Sequence, residues 1–197
     1  MPRSHGGWLA ALIAVSSAVW PAVSGAQAPI AGLMEPTPHR QQPFAVVDKQ
    51  AATIRVYRAD GALAGTSAVL LGSTRGDHTM PGVGERAQTG QLRASDRTTP
   101  AGRFHSEPGH NRNGDAIVWL DYASAFAIHR LRAGPSKEHR ARRLSSTSAA
   151  DKRVSDGCVV VPEAFYDAVV QPTLGRARGV VYVLPELDMQ PEVRPAN

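Results

Sequence analysis

"VSDGCVVVPEAFYDAVV", residues 154–170, changes its pattern twice along its length. Ser155-Asp156-Gly157 forms a turn, Cys158-Val-Val-Val is a short β-branched apolar run, and Pro162 stands where helices favour proline, at their first position. The stretch predicts a turn, a buried strand over 158–161, and a helix from Pro162 through Val170 that Pro172 stops. Residues 44–47, 53–58, 67–71, 104–105, 116–120, 126–129 and 180–184 are likewise short, β-branched or aromatic, and bounded by turn formers. Ile54 and Val56 share one face of their run, and Asp60-Gly61 follows as a turn, so the opening strands read as antiparallel hairpins. Trp119, Phe126, Phe165 and Tyr166 read as core. The expected fold class is mainly β, with one clear helix.

The first residues speak to location. Arg3 gives a positive start, residues 8–20 are apolar apart from two serines, and Pro21 follows. That run is too short for a spanning helix, which needs about 20 residues. Ser24-Gly25-Ala26 supplies the small residues a signal peptidase reads, so a cleaved secretory signal over 1–26 is expected, with an uncleaved anchor as the alternative. The proline-rich residues 27–42 read as a linker, 43–185 as one domain, and 186–197 as a loose tail. The mature chain then has no stable membrane span, and a periplasmic or secreted location is expected.

The single cysteine cannot form an internal disulfide. In an oxidising exported setting it is buried, paired with another chain, or kept reactive. The net charge of +5 suits anionic surroundings such as a cell-wall polymer or membrane surface, and equally a solubilising surface. Nucleic acid is not an expected partner, because the basic residues are not interleaved with stacking aromatics. Eight of them (Arg130, Arg132, Lys137, Arg140, Arg142, Arg143, Lys152, Arg153) fall within 130–153, against Glu138 and Asp151. This insertion reads as a short basic helix over 136–144, a flexible lid, or a solvated run. The segment 72–97, rich in glycine, threonine and charge, reads as a long irregular connection.

A thiol attacks only as thiolate, so a reactive Cys158 needs a base or a positive field. His129, ending an apolar run, is the natural candidate, because imidazole can take the thiol proton and return it to a leaving group. Gly157 permits a tight turn and close approach of a substrate carbonyl, with the N–H groups around Gly157 and Cys158 forming an oxyanion hole. Ser155 is suited to fixing that turn. His105 and His110 lack the tight paired spacings of a metal motif, so no metal is expected.

Ser155-Asp156-Gly157-Cys158-Val159 resembles the S-x-G-C-[IV] signature of the L,D-transpeptidase (YkuD-type) catalytic domain family. Thr99-Pro-Ala-Gly-Arg-Phe104 is similar to that family's T-P-x-G-x-[FY] segment, Ile128-His129 to its I-H pair, and 44–61 to its first hairpin. The resemblance runs over roughly 43–185, with the motifs in family order. It implies a mixed β-sheet or sandwich catalytic domain with one or two short helices, no cofactor, and peptidoglycan stem peptides as substrate. The cysteine would form a thioester with the third stem residue and expel D-alanine. An amine of a second stem (giving a 3→3 cross-link), a lysine of an attached protein, or water would then resolve it. It further implies Cys158 as nucleophile, His129 as base and acid, Gly157 with Cys158 as oxyanion donors, and the backbone carbonyl of Arg130 as orienter of His129. Ser155, Asp156 and Arg103 fall where substrate contacts are expected. Three positions depart from the family pattern. Asp156 lies between the serine and glycine, where it would orient His129 or raise the Cys158 pKa. Val160 stands where Arg or Asn is usual, and Cys158 follows His129 by 29 residues, a gap the basic insertion accounts for. A hydrolase on the same scaffold and a silent wall-binding module are the other expectations.

Overall fold

Alternation along the strands decides which side chains meet. In β1 (Phe44–Asp48) and β2 (Thr53–Tyr57), Ala45, Val47, Ile54 and Val56 are fully buried on one face. β3 (Leu63–Ala68) completes an antiparallel meander with them. These assignments come from a computed structural model that describes residues 41–132 and 138–186. The expected signal segment, the linker up to residue 40, Ser136 and Lys137, and the tail from 187 lie outside the described residues.

The remaining strands are β4 (Leu71–Gly72), β5 (Gly102–His110), β6 (Ala116–Asp121), β7 (Phe126–Arg130), β8 (Arg153–Ser155), β9 (Val159–Val161) and β10 (Gly179–Val183). Eight of the ten form one mixed sheet in the order β3-β2-β1-β10-β5-β6-β7-β9, and β4 pairs with β8. β1–β10 and β7–β9 are parallel and the other pairs of the large sheet are antiparallel. The long β5 carries the sheet between its halves: Gly102 to Ser106 pair with β10, Glu107 to His110 with β6. Val118, Leu120, Phe126, Ile128, Val159, Val161, Val181 and Val183 then join the β1–β2 side chains in one core. The chain is mainly β, as its sequence predicts.

Helices close the core. α1 (Val83–Thr89) is followed by a 3₁₀ turn, Ala94–Asp96, where an irregular connection is expected from composition. α2 (Arg140–Leu144) lies within the basic insertion. After Pro162, α3 (Glu163–Phe165) runs into a π-helical stretch (Tyr166–Val170) and then α4 (Gln171–Thr173). Pro172 therefore does not stop the helix. Gln171 N–H already reaches back five residues to Tyr166 O, and this wider turn accommodates a ring that brings no N–H. Among the described residues no helix is long and apolar enough to cross a membrane.

Other expectations shift in detail. The third strand ends at Ala68, because the chain leaves β2 after Val69 N–H bonds Ala52 O at 3.0 Å. Leu70 then exchanges backbone hydrogen bonds with Val160 at 2.8 and 2.9 Å. Trp119 is half-buried, edge-on to Tyr122 at 4.9 Å, whereas Phe126 and Tyr166 lie in the core and Phe165 packs against it. The described part of the basic insertion, 130–132 and 138–153, is folded. Leu144 packs with Leu70 and Val160 in a second apolar cluster. Four of the segment's cations are paired with carboxylates, mostly from other parts of the chain: Arg130 with Asp167, Arg132 with Asp115, Arg140 with Glu138, and Arg153 with Glu186. Arg143 and Lys152 donate to carbonyls of the segment itself, and Arg142 is left exposed.

Glu186, placed by its sequence at the start of a loose tail, is buried. It accepts the Gly76 N–H at 2.7 Å, pairs with Arg153, and stands 3.9 Å from the Lys49 ammonium. Burial lowers the Lys49 pKa, opposed by Asp77 and Glu186.

Candidate active site

The turn before β9 is braced from within. Ser155 Oγ donates to Cys158 O at 2.7 Å and accepts the Gly157 N–H at 3.2 Å. Gly157 has φ 122°, outside the range of L side chains, and a Cβ there would stand 3.0 Å from Thr98 O. Ser155 is thus buried and occupied by the turn rather than open to a substrate. Gly157 N–H is taken by Ser155 Oγ, whereas Cys158 N–H, the other expected oxyanion donor, meets no backbone acceptor among the described residues.

Cys158 is half-buried, and its Sγ donates to Ala125 O at 3.4 Å. That acceptor belongs to the β6–β7 turn, where Ala125 takes a left-handed φ of 57°, a conformation costing about 1–2 kcal/mol. Burial pushes the thiol up to about 11, a backbone hydrogen bond at Ala127 opposes the rise, and the Asp156 charge adds to it. Asp156 itself is exposed and pairs with Arg97 at 3.4 Å. Of its two expected effects, raising the cysteine pKa is the one its position produces.

His129 is in register with Val160 on the neighbouring parallel strand. Ile128 and Val159 face the core, so His129 and Val160 face away from it, and by alternation so does Cys158. The regular spacings of a sheet put the two Cα atoms about 8 Å apart across that offset. No hydrogen bond joins His129 to Cys158 in this arrangement. Instead His129 Nδ1 lies 2.9 Å from Arg130 O. A carbonyl only accepts, so Nδ1 carries the proton and Nε2 is left as a base. Burial lowers the imidazole pKa, the Arg130 carbonyl opposes this, and the Arg132 and Arg140 charges reinforce it. Both shifts favour the uncharged forms, imidazole and thiol.

Arg130 contributes more than its carbonyl. Its guanidinium lies 4.7 Å over the Tyr166 ring and pairs with Asp167 at 3.0 Å. Both contacts tie the end of β7 to the π-helical stretch, a kind of turn that concentrates at functional sites. Arg103 is not brought to the thiol: it is exposed on β5, 3.1 Å from His105 Nε2.

A narrow cleft with about 20 Å³ free to a water-sized molecule opens beside the thiol. Val83 of α1, Asp96, Thr98, Pro100 and the 124–126 turn wall it. Arg86 holds the wall together with two hydrogen bonds to Asp96, at 2.6 and 2.7 Å, and its guanidinium keeps that carboxyl down at about 2.

No protein-family model and no curated protein matches the chain. Solved structures similar to it include an L,D-transpeptidase mutant from Enterococcus faecium, 17% identical with TM-score 0.41, covering 73% of this chain and 50% of that one. The helical cell shape determining protein Pgp2 from Campylobacter jejuni is 14% identical with TM-score 0.49, over 74% and 48% of the two chains. An L,D-transpeptidase from Xylanimonas cellulosilytica is 16% identical with TM-score 0.42, over 73% and 61%. The chain spans about half the length of the first of these similar structures.

Several contributors to the site carry no mark in the sequence. Ala125 acts through a carbonyl, and Asp96 sits in a segment whose composition suggests only a connection. Thr99, within the T-P-x-G resemblance, has a role that only the fold displays: it is fully buried and bonded to the Gly157 carbonyl. Val160 has a packing explanation, since a polar side chain there would meet Leu70 and Leu144.

Proposed function

We propose that the chain is an exported cysteine L,D-transpeptidase that acts on peptidoglycan stem peptides through a Cys158 thioester. The observation that carries this reading is the pairing of β7 with β9, which sets a neutral His129, oriented by Arg130 O, diagonally across from the half-buried thiol. The resemblance of the Ser155–Val159 and Thr99–Phe104 segments to the family's motifs supports it.

In the proposed reaction a stem peptide enters the cleft and the thiol turns from Ala125 O towards His129. Nε2 takes the thiol proton as sulfur bonds the acyl carbon, and the carbonyl pair moves to oxygen, facing Cys158 N–H. The pair returns as the C–N bond breaks, and His129 gives its proton to the departing D-alanine. An amine of a second stem, a lysine of a wall-attached protein, or water then resolves the thioester.

Intact-mass analysis after incubation with tetrapeptide-stem muropeptides tests this. The expected result is an acyl adduct on Cys158 with release of D-alanine, slowed about 10²–10⁴-fold in His129→Ala. Cross-linked product distinguishes transfer from hydrolysis. One observation favours a second reading, the silent wall-binding module: the thiol rests on Ala125 O and not on His129. That reading requires no adduct, with binding to sacculi unchanged in Cys158→Ser.

A further inference from the structure

The peptide bond that precedes Cys158 is oriented from behind by two buried residues that the proposed reaction never touches. Thr99 Oγ1 lies 2.8 Å from both Gly72 N and Gly157 O. The Gly72 N–H occupies a lone pair, so the hydroxyl proton goes to the Gly157 carbonyl. A trans peptide holds its C=O and N–H antiparallel. Fixing the Gly157 carbonyl on Thr99 therefore aims Cys158 N–H the opposite way, where no backbone acceptor meets it among the described residues.

Thr99 is fixed in turn. Its carbonyl accepts from Lys49 Nζ at 2.8 Å, and the other ammonium protons go to Gly76 O at 2.7 Å and to Asp77. Three donors meet three acceptors, so the buried ammonium is satisfied and has one orientation. Both residues are fully buried, and neither has a place in the proposed proton transfer.

We propose that Thr99, anchored by Lys49, is a positioning residue that aims the Cys158 N–H at the oxyanion formed when the thiol attacks an acyl donor. This rests on the thioester reading. As Sγ bonds the acyl carbon and its proton passes to His129, the carbonyl electron pair moves onto oxygen and meets that N–H. Attack on an alkyl halide places no charge on an oxygen, so alkylation has no use for Thr99.

The test compares acylation of the full chain by a carbapenem with alkylation by iodoacetamide. Thr99→Val is expected to slow acylation by at least about tenfold while alkylation and its pH profile stay within about twofold, and Thr99→Ser to restore acylation. Acylation at the parental rate in Thr99→Val, or equal slowing of both reactions, overturns the proposal. Should Thr99→Val not fold, the unsubstituted chain decides: the Cys158 amide is expected to shift downfield and exchange more slowly once acylated, and an unchanged amide overturns the proposal. A parent alkylated at Cys158 yet never acylated overturns the thioester reading, and this one with it.

Discussion

Cys158 is stored as a thiol. Only the thiolate alkylates, so with a pKa of about 11 the iodoacetamide rate of the unliganded protein should keep climbing through pH 9 towards 11. A rate already level near neutrality contradicts that storage. The same shift bears on stability. The folded pKa lies above the ordinary 9.0, so the folded chain holds the proton more tightly; the contribution is complete below pH 9 and lost as pH rises through 11. Thermal melts of Cys158→Ser should show less alkaline destabilisation over that window. At this scale the sequence speaks clearly about Cys158, Gly157 and His129, whose residue types are tied to chemistry. It is silent on Lys49, since charge patterning puts a lysine in water. Asp77, far along the chain, and Glu186, near its end, are what make burial tolerable.

α1 shows how an element of weak propensity is held by what it touches. Val-Gly-Glu-Arg-Ala-Gln-Thr offers one buried apolar side chain and a glycine. That glycine is the contact: a Cβ on Gly84 would lie 1.9 Å from Ala123 O, so α1 rests directly on the β6–β7 turn beside the thiol. Gly84→Ala should lift α1, cost about 1–3 kcal/mol in denaturant unfolding, and speed alkylation of Cys158 as the cleft wall retreats. A substituted protein with parental stability and slower alkylation would contradict this placement. Strands are legible because their alternation is local: β1, β2, β6, β7 and β10 fall within a residue or so of the expected runs. α1 is not legible, because backbone proximity leaves no periodic signal. Pro172 misleads for a related reason, since the π-helical turn that admits it depends on neighbours rather than on the proline.

Across the whole molecule, Glu186 joins parts that the chain keeps far apart. It pairs with Arg153 of β8, approaches Lys49 after β1, and receives the Gly76 N–H. Glu186→Ala leaves the buried Lys49 and the half-buried Arg153 short of a counter-charge and should cost about 3–5 kcal/mol, read as a lowered urea midpoint; a change within about 0.5 kcal/mol would contradict a structural part for the network. Neither this network nor the strand order could be read ahead of the structure, because period and turn chemistry fix what a segment becomes but not which segment it lies beside. β10 has its own consequence. It is nearly the last stretch of the described chain, yet it fills the slot between β1 and β5, so the first hairpin and the later strands have no shared sheet until it arrives. Synthesis from the N-terminus therefore leaves the two halves of the sheet unjoined until β10 is made, so their shared core is among the last parts of the described domain to consolidate.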